Sequence, residues 1–203
     1  MKGKVNFLYL GTGLAMNTFL NKLKTNNMKH FLSAGIFTVL SFISLGAFAQ
    51  NTEDKSKRPS PADSVMQKIG SATVKINYSK PSVKGRTIGK NLEPMPGKVW
   101  RTGANEATVF ETDKDVKIDG KPLAKGKYGL FTIDNGNEFV IIFNKTWNQW
   151  GAFDYKEASD ALRVKVKREK ANPFAEKMAI TISDKGKVSL LWGDILAAFT
   201  VKD

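Results

Sequence analysis

The 203-residue chain contains no cysteine. Disulfides, thiolate-held iron–sulfur clusters, lipid-modified cysteines and cysteine nucleophiles are therefore excluded. Histidine is almost missing too: the one copy is His30, in a segment that reads as removable. Ser-His-Asp chemistry then lacks its base. Zinc, copper and non-haem iron sites lose their usual imidazole and thiolate ligands. Composition leaves open carboxylate-pair chemistry, Ser-Lys chemistry, hard-cation binding through oxygen, or binding without reaction. The reading carries no metal site, no cofactor and no assigned catalytic residue.

Acidic residues are absent from residues 1–49. From Met28 the chain runs MKHFLSAGIFTVLSFISLGAFAQ. Lys29 and His30 make a short basic start, Phe31 to Gly46 an apolar run, and Ala47-Phe48-Ala49 a small-x-small pattern before Gln50. Those three parts predict a signal peptide over 28–49, cut between Ala49 and Gln50, and hence a periplasmic or secreted protein. The competing reading is an uncleaved anchor, because roughly 20 apolar residues cross a bilayer; Ser33, Ser41 and Ser44 weaken it. Residues 1–27 read as an upstream extension, with Met28 as the true initiator. Membrane contact is expected only through the signal during export. The formal charge is +13; without the five lysines of residues 1–49, 27 basic and 19 acidic residues leave +8.

Residues 50–62, QNTEDKSKRPSPA, are polar and proline-bearing and read as a flexible leader. Residues 63–203 read as one domain of short strands. Period-2 alternation marks SVMQKIG, ATVKINY, Thr108 to Phe110, Val116 to Ile118, KYGLFTI, LRVKVKR, MAITIS, KVSLLW and ILAAFTV. EFVIIF (138–143) is apolar on both faces and should be covered on both. Asp134-Asn135-Gly136-Asn137 and Asp184-Lys185-Gly186 read as hairpin turns, and Gly193-Asp194 as a turn between the last two strands. KEASDAL (156–162) is the best short helix. Nine or ten short strands with tight turns predict an all-β fold, an antiparallel β-sandwich of jelly-roll-like character.

Two stretches could carry function. In VWRTGANEATVF, Arg101 would grip an anion by its planar fork, Asn105 would donate and accept, and Glu106 would be an acid, a base or a cation ligand. The structural reading packs Trp100 at a strand end, turns the chain at Gly103 and Asn105, and pairs Arg101 with Glu106. In FNKTWNQWGAFDY (143–155), Trp147, Trp150 and Tyr155 stand among Asn148, Gln149 and Asp154. Rings beside amides suit sugar binding; they equally suit a minicore under a long loop. With both clusters at one end of the sandwich, Glu106 facing Asp154 would permit glycosidase chemistry.

Other candidates are weaker. Arg163, Lys165 and Lys167 share a strand face, which reads as a charge-protected edge rather than a nucleic-acid site, since no aromatic interleaves. Asp113, Asp115 and Asp119 have calcium-like spacing without the terminal glutamate of the twelve-residue loop. Ser64 and Lys68 on one strand would stand about 13 Å apart, too far for a dyad.

YSKPSVKGR (78–86), GKVWRTGANEAT (97–108), LFTI with VIIFNKTWNQWGAFDY (130–155) and LRVKVK (162–167) together resemble the bacterial envelope family catalogued as domain of unknown function 2911. The AFAQ ending of the signal resembles exported proteins of Bacteroidetes. The resemblance implies an exported domain and assigns no activity. The sequence thus predicts a non-enzymatic binding or accessory module of the cell envelope, with a glycan or small anionic ligand between the two clusters. The alternatives are a carboxylate-dependent glycan hydrolase and a purely structural envelope protein. No nucleic-acid partner is expected, and no oligomeric state follows.

Overall fold

Side chains that alternate along a strand go to opposite faces of a sheet, and this sorts the chain into two layers. The computed structural model describes residues 54–203. The signal segment and upstream extension expected at 1–49 lie outside the described residues, as do residues 50–53 of the leader.

Eleven strands are present among the described residues: β1 (Ala62–Ile69), β2 (Ala72–Ser79), β3 (Val99–Trp100), β4 (Thr108–Thr112), β5 (Val116–Ile118), β6 (Lys121–Leu123), β7 (Gly126–Asp134), β8 (Glu138–Asn144), β9 (Asp160–Lys167), β10 (Glu169–Ile182) and β11 (Lys187–Lys202). The larger sheet runs β1-β2-β4-β7-β8-β9, with β3 paired to β7 beyond the end of β4. The smaller runs β10-β11-β5-β6. All pairings between strands are antiparallel, as an all-β sandwich requires.

The core lies between the sheets. Ile76, Phe110, Leu130 and Phe143 of the larger sheet meet Met178, Ile180, Trp192 and Phe199 of the smaller. Phe143 is the hub. Its ring stands edge-on to Phe110 at 5.0 Å, to Tyr128 at 6.5 Å and to Phe199 of the opposite sheet at 5.6 Å. Tyr78 adds a polar tie between the layers: its hydroxyl donates to Asp63 Oδ2 at 3.3 Å and accepts the Ile180 N–H at 3.1 Å.

Three expectations change. The turn read at Gly193-Asp194 is a bulge inside one long strand. Val188, Leu190 and Trp192 face the core, and so do Ile195, Ala197, Phe199 and Val201. The parity switches at Gly193, which takes left-handed backbone (φ 60°), and the extra residues lie opposite it on β10, whose register with β11 shifts between Lys170 and Ala175 and again between Ala175 and Ala179. The helix read over 156–162 is only a 3-10 turn, Glu157–Ser159. Asp160 belongs to β9, where its carboxylate accepts from Asn144 Nδ2 at 2.7 Å and Arg163 Nε at 2.6 Å. The described part of the leader, from Asp54, carries a 3-10 turn at Lys55–Lys57 and enters β1 at Ala62, one residue before the domain start read from sequence.

EFVIIF is covered on both sides as expected. Phe139, Ile141 and Phe143 face the sandwich, while Ile142 joins Phe131 and Ala107 in a second, smaller cluster on the outer face. The edge position read for LRVKVKR also holds, since β9 ends the larger sheet. Two of its charges are matched: Lys165 lies 2.9 Å from Glu138, and Arg163 Nη1 lies 3.1 Å from Glu157.

Removing the Phe143 ring should cost about 3–5 kcal/mol, the usual loss for a buried aromatic cut to alanine. Phe153→Ala, at a residue 83% exposed, should stay within about 0.5 kcal/mol. Urea titration of both variants by circular dichroism checks the contrast.

Candidate functional site

The corner between β3 and β4 is wound tightly by its own polar atoms. Trp100 is buried, and its Nε1 donates to the Gly103 carbonyl at 3.0 Å. Thr108 Oγ1 donates to the Thr102 carbonyl at 2.7 Å, and Thr108 N–H to the Arg101 carbonyl at 3.2 Å. Two residues other than glycine, Thr102 (φ 53°) and Asn105 (φ 59°), take the left-handed conformation. Such positions carry strain and recur at functional sites.

The second cluster folds onto this corner. Ala107 N–H donates to the Gln149 carbonyl at 3.0 Å, and Gly151 N–H to the Asn105 carbonyl at 3.1 Å. Residues 145–156 thereby lie over the outer face of the larger sheet, where Ala152 and Tyr155 pack on Phe131 and Ile142. Gly129 of β7 permits the approach: a Cβ there would sit 3.1 Å from the Thr146 carbonyl oxygen and collide with the Phe131 ring. Asn144 anchors the base of the loop, donating to the Lys156 carbonyl at 2.9 Å and accepting the Thr146 N–H at 2.8 Å. The minicore reading of this stretch is therefore correct for Tyr155, whose ring meets Phe131 at 5.2 Å. Burial, with the Asp160 carboxylate beside it, pushes the Tyr155 hydroxyl up to about 12. It stays protonated, donates to Asp160 Oδ2 at 2.9 Å and accepts from Arg163 Nη2 at 2.6 Å.

Two hollows flank the corner. The first, of about 600 Å³, lies on the outer face of the larger sheet. Its floor is Ala62 and Ser64 of β1, Asn77 and Ser79 of β2, and Val109 of β4. Trp147, Asn148 and Gln149 wall it, and Lys55 and Glu106 border it. Trp147 is 37% exposed and carries the Lys127 ammonium 5.4 Å from its ring centre. Gln149 is only 7% exposed; its Nε2 donates to the Thr146 carbonyl at 2.7 Å, and its Oε1 is buried without a hydrogen-bond partner. The second hollow, of about 400 Å³, contains Trp100, Arg101, Asn105, Arg86, Glu93 and Trp192 in its lining.

The pairing of Arg101 with Glu106 is not formed. Glu106 is instead held by the leader: Arg58 Nη1 donates to both its oxygens at 3.0 and 2.9 Å, and Lys55 Nζ lies 2.9 Å away. Partial burial alone would raise the Glu106 carboxyl. The Lys55 ammonium, the backbone N–H of Glu106 itself and Arg58 together outweigh it and hold the group at about 2. Asn105 Nδ2 adds a bond to the Ser60 carbonyl at 3.0 Å, and Arg58 lies over the Trp150 ring at 5.9 Å.

Of the nine residues singled out from sequence, Glu106, Trp147 and Gln149 line the first hollow and Trp100, Arg101 and Asn105 the second. Trp150, Asp154 and Tyr155 line neither. Sequence reasoning missed Lys55, Arg58, Ser64 and Asn77 around the first hollow, and Arg86, Glu93 and Trp192 in the second. Only the cationic run Lys55 to Arg58, set against one lone acid at the corner, carried a signal. The three aspartates with calcium-like spacing are used separately: Asp113 accepts the Thr73 N–H at 2.6 Å, Asp115 the Lys125 N–H at 2.8 Å and Asp119 the Thr200 N–H at 2.8 Å. Among the described residues no cluster of three acidic, histidine or cysteine side chains could hold a metal ion.

A folded-state value of about 2 for Glu106 lies below the ordinary 4.5. Its stabilisation is therefore complete above the unfolded value and fades as pH falls toward the folded one. The side chain is about a third exposed, so solvent screening reduces the contribution to about 1 kcal/mol. The stability gap between the parent and Glu106→Gln should narrow by that amount as pH falls from about 6 to about 2. Urea unfolding across the range measures it.

No curated protein and no solved structure matches this chain. One family model does match, over residues 60–201, which takes in nearly all of both sheets and the lining of both hollows except Lys55. By that match the chain belongs to the family described as Protein of unknown function (DUF2911).

Proposed function

We propose that this chain is an exported, non-enzymatic binding or accessory module of the bacterial cell envelope, and that its first hollow takes a neutral glycan. One observation carries the reading. A hollow of about 600 Å³, within the size range of small-ligand sites, combines the exposed Trp147 wall with the buried, unpartnered Oε1 of Gln149. A sugar ring has an apolar face for the indole and hydroxyls that would donate to that oxygen. Asn77, Ser64 and Asn148 supply further donors and acceptors along the floor and wall. The export reading rests on the three-part segment over 28–49 and places the module in the periplasm or outside the cell, with no nucleic-acid partner.

The competing glycosidase reading is weakened by charge. A general acid needs a carboxyl with a raised pKa. Glu106 is lowered to about 2 and engaged by Lys55 and Arg58, and Asp154 lies outside the hollow's lining.

Calorimetric titration with a panel of neutral oligosaccharides tests the reading. At least one should bind saturably, and Trp147→Ala should weaken it about tenfold or more, since covering an aromatic ring is worth roughly 1.5–3 kcal/mol. Release of new reducing ends would move the chain to the enzyme reading, and no binding across the panel would remove the glycan. Mass spectrometry of protein from the envelope fraction should find an N-terminus at Gln50.

A further inference from the structure

The second hollow is chemically unlike the first. Its apolar lining is Leu92, Met95, Trp100 and Trp192. Its charged lining is Arg86, Arg101 and Glu93. At about 400 Å³ it falls within the range of small-molecule sites.

Arg101 is the unusual residue. Its Nε is buried and has no hydrogen-bond partner, and among the described residues no side-chain hydrogen bond or ion pair engages its guanidinium. Burial lowers its affinity for the proton, and the charge of Glu93 offsets this only in part. Other polar groups of the hollow are at least partly committed. Arg86 donates from Nε to the Val83 carbonyl at 3.0 Å and from Nη2 to the Ser82 carbonyl at 2.5 Å. Glu93 Oε2 accepts the Met95 N–H at 2.6 Å, and Asn91 Oδ1 the Thr87 N–H at 2.7 Å. Partly burying a guanidinium without an acceptor is unfavourable unless something supplies one.

We propose that this hollow is a binding site for a small carboxylate carried on an apolar or ring-shaped body, engaged by Arg101 within the walls of Trp100 and Trp192. The planar guanidinium matches the planar carboxylate. Charge selects the valence. Two arginines against one glutamate leave one positive charge, which a monoanion neutralises and a dianionic phosphate would exceed. The indoles and Met95 select an apolar body behind the carboxylate. This site lies across the β3–β4 corner from the proposed glycan hollow and stands independently of it.

Benzoate is the probe, with benzamide as its neutral isostere and inorganic phosphate, titrated above about pH 8 where it is mainly the dianion, as the third ligand. Titration of the purified protein, followed by calorimetry and tryptophan fluorescence, should show saturable benzoate binding at least tenfold tighter than either comparator. Arg101→Gln should weaken benzoate about tenfold or more, and Arg101→Lys, which keeps the charge and loses the fork, should fall between. Met95→Trp fills the hollow with the guanidinium intact and should abolish binding, so the test survives a poorly folding Arg101 variant. Trp147→Ala should leave benzoate unchanged whatever it does to sugars. Equal binding of benzoate and benzamide, tighter binding of phosphate, absence of saturation, or benzoate affinity unchanged in folded Arg101→Gln would each overturn the proposal.

Discussion

Everything outside the sandwich core depends on one surplus of apolar surface. β7 and β8 are hydrophobic on both faces, and only one face can meet the smaller sheet. Phe131 and Ile142 therefore point outward, and leaving them in water would cost about 1.5–3 kcal/mol each. The loop from 145 to 156 resolves this by lying across them, bringing Ala152 and Tyr155 as cover. Once it lies there, its remaining side chains have fixed positions. Trp147 and Gln149 stand beside bare sheet above β1, β2 and β4, and a hollow results. The first site is thus the uncovered remainder of a face that had to be covered elsewhere.

The two charged groups of the corner meet opposite fates. Glu106 gains Lys55 and Arg58 from the segment ahead of β1. Arg101 gains nothing comparable, and Glu93 acts on it only through space. Had the two paired with each other, both would be satisfied and neither would be informative. Bringing cations to Glu106 through a separate segment leaves Arg101 as a partly buried donor group without an acceptor. The same segment also closes the corner physically, through Asn105 to Ser60 and Arg58 over Trp150.

Sheet layers were legible because burial on one face imposes alternation, and alternation can be read directly. Ile76 against Lys75 and Phe110 against Val109 sort themselves. The hairpin at Asp134 to Asn137 was legible because Gly136 supplies the left-handed residue such a turn uses. β3 was not, being two residues long, and neither was β6, where Lys121 and Pro122 are both exposed and no alternation shows. The bulge at Gly193 looked like a turn because a glycine and an aspartate interrupt the run. Only the parity of the buried residues on either side, even up to Trp192 and odd from Ile195, tells a bulge from a turn. At the site, residue types were legible and partners were not. Glu106 stands 48 positions from Arg58, and Trp192 donates to the Glu93 carbonyl across 99. Pairings at such separations belong to the folded arrangement and leave no periodic trace.

The corner itself explains why two hollows stand side by side. Thr102 and Asn105 hold left-handed backbone without being glycine, a strain of about 1–3 kcal/mol each that persists only where the surroundings over-determine it. Here they do: the Thr102 carbonyl accepts from Thr108, the Thr102 hydroxyl lies 3.2 Å from that of Thr132, and Asn105 is bonded at both its side chain and its carbonyl. A relaxed turn would let the chain pass from β3 to β4 with fewer reversals. The strained one separates Arg101 from Glu106 and gives each its own hollow. A single seat spanning the corner would have placed a cation and a carboxylate together and let them neutralise each other. Splitting them keeps a partly buried positive hollow and a polar aromatic one on either side of the same corner.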